Sequence, residues 1–132
     1  MVERLWRRHI VKMEEENIII VKTRKFAGRI VKLARFLRST KKEYVLAEQI
    51  LRSGISIGAN VSEGNFGQSG ADFYTKFKVA LKEAGETQYW IELLHDTDCL
   101  NDEQYKSIKA DCDEIVSLLV AITKTFNEKN NK

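Results

Sequence analysis

Nine basic side chains and no acid lie between Lys22 and Lys42. Such a block attracts a phosphate backbone or an acidic protein; it also serves as a solvated helix face neutralised by acidic neighbours. Charge is divided unevenly along the chain. Residues 1–60 carry 14 Lys/Arg against 6 Asp/Glu, and residues 61–132 carry 8 against 13, which the net charge of +3 conceals. Lys25, Arg29, Lys32, Arg35 and Arg38 are the side chains expected to lie along phosphates. No aromatic ladder and no base-reading motif accompanies them. Binding of this kind is mainly electrostatic, with little sequence preference.

Other reactive residue types support chemistry less well. Glu92 and His95 have the Glu-x-x-His spacing of di-iron bundles, but those sites need two such motifs and two further carboxylates. The other histidine is His9. No metal or cofactor is expected, and His95 reads as a hydrogen-bonded bundle residue. Cys112 falls in an apolar stripe, which predicts a buried, inert thiol. Cys99 falls in a loop with no histidine placed beside it. Glu83 and Glu86 are the one candidate acid–base pair, and structural ion pairing explains them equally well. The expectation is a protein that is not an enzyme. The stretch Leu51–Gly64, "LRSGISIGANVSEG", matches neither the GxxxxGK[ST] phosphate loop nor the dinucleotide GxGxxG turn.

The elements that position these residues read as helices. The chain has no proline, which favours long uninterrupted helices. Apolar spacing predicts a first helix from about Thr23, as N-cap, to Arg38, and a second from about Lys42 to Glu63. A third is predicted from an N-cap at Ser69 to about Thr97, and a fourth from a capping box at Asn101 and Gln104. The segment Asn17–Val21, "NIIIV", is β-branched and reads as an extended lead-in. Residues 1–16 are expected to be an N-terminal extension, disordered or not native, before a bundle domain at 17–130. Short connections predict an all-α, antiparallel up-down-up-down four-helix bundle. Gly54 and Gly58 fall on or beside the apolar stripe of the second helix. Each costs about 1 kcal/mol relative to alanine, which predicts close approach of a neighbouring helix. The polar row Gln49, Arg52, Ser56, Asn60 and Glu63 lies opposite. Glu83 and Glu86 share a face with Val79, Trp90 and Leu93, and carboxylates on an apolar face need a cation. Arg52 is the expected partner, within or between subunits. No run approaches the ~20 apolar residues of a membrane span, there is no signal-peptide pattern, and two cysteines suit a reducing, cytoplasmic setting.

Three blocks, "KFAGRIVKLARFL", "LRSGISIGANVSEG" and "ADFYTKFKVALKEAGETQYWIELL", resemble in order and form the four-helix-bundle proteins encoded within 23S rRNA intervening sequences. The likeness covers roughly Asn17 to Phe126. This family looks related to the accessory variability protein of diversity-generating retroelements. The resemblance implies an antiparallel bundle assembled as a homopentamer. It also implies, through the retroelement relatives, a basic surface that meets RNA or DNA and a reverse transcriptase. It carries Arg52, Ser53, Gly54, Ser56, Gly58, Asn60 and Glu63 from the second helix, and Glu83, Glu86, Tyr89 and Trp90 from the third; of these, Arg52, Ser56, Asn60, Glu63, Glu83, Glu86 and Trp90 are expected to form a structural polar network or interface. No catalytic role comes with any of them. Gly85 departs from the pattern, where a larger residue such as arginine is expected.

Overall fold

The computed structural model describes residues 2–130, with side chains described at 18–129 and at Arg4, Arg7 and Glu14. Among the described residues there are four α-helices and no strand. They are α1 Val2–Phe36, α2 Tyr44–Asn65, α3 Gly70–Asp96 and α4 Asp102–Asn130.

Local chemistry sets most of the boundaries. Ser69 Oγ accepts the Asp72 N–H at 3.2 Å and starts α3. Asn101 Oδ1 accepts the Gln104 N–H at 2.8 Å, and Gln104 Oε1 accepts the Asn101 N–H at 2.9 Å. That reciprocal box satisfies two of the donors a helix start leaves open. A single π-helical turn, Leu37–Lys41, closes α1. Lys42 follows in the left-handed region with φ 56°, and the N–H groups of Lys42 and Glu43 both donate to the Leu37 carbonyl. This is the usual C-terminal device with lysine where glycine is the easier residue.

Two expectations fail in the middle of α1. Asn17–Val21 is helical, not extended. Its β-branched residues lose only a few tenths of a kcal/mol each in helix propensity, whereas burying Ile19 completely contributes about 1.5–3 kcal/mol. Thr23 is not an N-cap. It lies inside α1, fully buried, and its hydroxyl donates back to the Ile19 carbonyl at 2.7 Å. The same hydroxyl chemistry that suits a cap also serves inside a helix when it bonds the preceding turn.

The helices pack as a closed ring: α1 on α2, α2 on α3, α3 on α4, and α4 back on α1, with no packing across either diagonal among the described residues. Partners run in opposite numerical order. Gly54 meets Ile30 while Gly58 meets Thr23. Arg52 meets Glu83 and Glu86 while Gly64 meets Phe77. Cys112 meets Ala84 while Phe126 meets Phe73. The interior holds Phe26, Ile30, Ile57, Phe77, Ile91 and Leu119, all fully buried. The glycines of α2 serve close approach. A Cβ on Gly54 would stand 2.7 Å from Ile30 Cγ2, and one on Gly58 would stand 3.3 Å from the Thr23 carbonyl oxygen.

Candidate nucleic-acid interface

Packing fixes the orientation of the basic stretch of α1. Phe26, Ile30, Ala34 and Leu37 turn inward and are buried, so the intervening cations must lie on the flanks and outer face. Two cations are consumed by α4. Lys22 Nζ pairs with Glu114 at 2.7 Å. Arg29 pairs with Asp111 at 2.5 Å and donates to the Ser107 hydroxyl at 2.9 Å and to the Ser107 carbonyl at 3.3 Å. Arg29 therefore ties α1 to α4 and is not free for a phosphate. Lys25, Lys32, Arg35 and Arg38 are exposed and have no ion-pair partner among the described residues. Arg24, outside the expected set, is exposed as well and has no ion-pair partner among the described residues. Lys25 and Lys32 stand two turns apart, about 10 Å, and Arg35 continues the track one turn on.

A groove of about 550 Å³ opens beside this track, between the C-terminal half of α1 and the first turns of α4. Leu33, Phe36, Leu100 and Ile108 supply its apolar surface; Arg29, Lys32, Glu103, Gln104 and Ser107 supply the polar rim. The groove is not visible in sequence, because its walls come from segments more than sixty residues apart, and neither carries a motif of its own.

The second-helix row resolves into several local tasks. Arg52 bridges Glu83, at 3.3 Å, and Glu86 within a single chain. Hydrogen bonding to Glu86 acts most strongly to hold the guanidinium above its ordinary pKa; burial opposes it, and the charges of Glu86 and Glu83 add to the rise. Below it, the buried Ser53 and Thr87 hydroxyls lie 2.9 Å apart and join α2 to α3. Asn60 donates to the Ser56 carbonyl at 2.8 Å, and Glu63 pairs with Lys76 at 2.8 Å. The Trp90 indole N–H is buried without a partner among the described residues. Gly85 is exposed, with nothing within 4 Å of where a Cβ would stand.

The remaining reactive groups are paired or buried. His95 Nε2 and Asp102 Oδ1 are 2.7 Å apart, and the imidazole stacks on Tyr105 at 4.1 Å. Hydrogen bonding to His95 holds the Asp102 carboxyl below its ordinary range. Both cysteines are free and buried; burial pushes the Cys112 thiol up to about 12. At Asp113, burial acts to raise the pKa. Hydrogen bonds from Lys109 and Gln88, each 2.8 Å, outweigh it and leave the carboxyl below its ordinary value. No cluster of three or more His, Cys, Asp or Glu suited to a metal ion occurs among the described residues. None of their helices is long and apolar enough to cross a membrane.

Residues 15–121 match the family described as 23S rRNA-intervening sequence protein. The chain belongs to that family. A crystal structure of a protein of unknown function from the S23 ribosomal protein family, from Bacteroides thetaiotaomicron, is 51% identical to this intervening-sequence protein. It aligns with a TM-score of 0.82 over 83% of this chain and 98% of that one. No curated protein matches. The matched region of the intervening-sequence protein contains the basic track, the α1–α4 groove and the Arg52 cluster.

Proposed function

We propose that this intervening-sequence protein is a cytoplasmic, non-enzymatic RNA-binding protein. Its four helices form an antiparallel up-down-up-down bundle that assembles as a homopentamer. The reversed order of partners along each helix pair supports the topology, and exposed apolar side chains on α2 support assembly. The observation that carries the RNA reading is the row Lys25, Lys32 and Arg35 on α1 and Arg38 in the turn that closes it, exposed and without carboxylate partners among the described residues, while α1 spends two other cations on its neighbour. The family's name gives an RNA context, and electrostatic contact needs no further reading motif.

The deciding experiment is binding of RNA at low salt by the wild-type protein and by the Lys32→Glu/Arg35→Glu variant. The expected result is at least tenfold weaker binding by the variant. Its log K against log salt should also be shallower, since each phosphate left without its cation removes about 0.7 from a single-strand slope. No binding at low salt, or indifference to the charge reversal, would overturn the reading. A second reading is a scaffold that docks an acidic protein, for which the retroelement resemblance suggests a reverse transcriptase. It is favoured by the carboxylates of Asp111 and Glu114, which already occupy two cations of α1. Capture of a protein partner that survives nuclease treatment supports that alternative.

A further inference from the structure

We infer that the groove between α1 and α4 seats one unstacked base of a single-stranded RNA, with the phosphates on either side running along Lys25, Lys32 and Arg35. The inference rests on the RNA-binding reading and deepens it. Lys32 is the hinge of the argument, because it lines the groove and also belongs to the unpaired track. A base in the groove therefore has its own phosphate beside a free ammonium. The next cations lie about 5 Å and about 10 Å away along the helix axis.

The groove's chemistry suits a base better than an acidic peptide. About 550 Å³ falls within the range of small-ligand sites. Leu33 and Ile108 line it with the half-buried Phe36, whose ring has the Lys41 ammonium over one face, 5.9 Å from the centroid, so a base would stack on the other face. Glu103 stands on the rim, where it repels a peptide carboxylate but accepts an N–H from a base edge. Arg29 is held on the opposite rim by Asp111 and Ser107, so its guanidinium is already ordered. A duplex cannot use the groove without unpairing, so the site distinguishes single strands where the phosphate track alone does not.

The test compares a single-stranded uridylate oligomer with an abasic ribose-phosphate oligomer of equal length, by anisotropy on the wild-type protein. The base-bearing strand is expected to bind about tenfold tighter, the scale of one base–aromatic stack. A Phe36→Trp variant should show fluorescence quenching with uridylate and none with the abasic strand. A Phe36→Leu variant, its helicity checked by circular dichroism, should bind both strands alike. Equal binding of the two strands by the wild-type protein overturns the inference and leaves the electrostatic reading standing. So does tighter binding of uridylate that is insensitive to Phe36→Leu and gives no quenching in Phe36→Trp. If neither strand binds at low salt, the RNA reading itself fails.

Discussion

Arg52 faces two carboxylates of unequal exposure. The Glu83 side chain keeps 17% of its surface and that of Glu86 keeps 37%, while Arg52 itself is half exposed. Exposed ion pairs contribute about 0–1 kcal/mol, so most of the effect of Arg52→Ala should come from leaving Glu83 without a cation. The expected loss is about 1 kcal/mol by urea unfolding. Arg52→Lys should restore only part, because an ammonium is a point charge and cannot span two carboxylates as a planar fork does. A loss of about 3 kcal/mol or more would show that Glu83 is desolvated beyond what one chain provides. Asp113 gives a pH-dependent counterpart. Its folded pKa lies below its unfolded value of about 3.9. It therefore contributes stability above that value and loses it as pH falls through the folded pKa. Urea midpoints at pH 6 and pH 3 should show Asp113→Asn less stable than wild type at pH 6, with a smaller deficit at pH 3. A constant difference between the two would exclude the carboxylate as its source. The Arg52 pairing was legible in sequence because its charges lie on faces that two adjacent helices must bring together. The Arg29–Asp111 pair was not: 82 residues separate the partners, and nothing local marks either one.

Glycine has opposite meanings on α2 and α3, and substitution separates them. At Gly54 a methyl group would press on Ile30 Cγ2 at 2.7 Å. Gly54→Ala should destabilise by about 1–3 kcal/mol through overpacking, less about 1 kcal/mol regained in helix propensity. At Gly85 the space is open, so Gly85→Ala should stabilise by about 1 kcal/mol. Thermal unfolding of both variants checks the pair; stabilisation by both would mean that α1 and α2 are not in close contact at Gly54. The reasoning behind α2 was available from sequence, since an interior glycine on an apolar stripe implies a close neighbour. The caps at Ser69 and Asn101 were equally legible, because a cap is a bond between residues three apart. The helical state of Asn17–Thr23 was not. Ile18, Ile19 and Ile20 favour a strand by local propensity, and the burial of Ile19 and Thr23, the latter against Gly58 of α2, makes the helix the better solution. Local preference is a weak term there, and burial is the larger one.

At the scale of the whole molecule, the proposed homopentamer needs a contact surface. Val45, Glu48, Arg52, Ile55, Ala59, Ser62 and Phe66 follow one another at helical spacing and are all exposed. Val45 and Phe66 keep 71% and 82% of their surface. Scattered apolar residues need no explanation, but a stripe shared by Val45 and Ile55 on α2 and Phe66 at its C-cap is the surface the proposed assembly would use. A homopentamer predicts a light-scattering mass of about five times the 15.2 kDa of one chain. Ile55→Asp/Phe66→Asp should lower that mass while leaving helicity intact, because neither side chain belongs to the core. The same variant also tests how assembly and RNA binding are linked. Its basic track is untouched, yet a ring presents several tracks at once, and linked sites multiply affinity without adding new interactions. Dissociation should therefore weaken binding to a long RNA by tenfold or more and leave binding to a short oligomer unchanged. An equal loss on both RNAs would place the phosphate site on the α2 stripe instead of α1. A monomeric wild-type mass at micromolar concentration would remove the assembly and, with it, the argument from avidity.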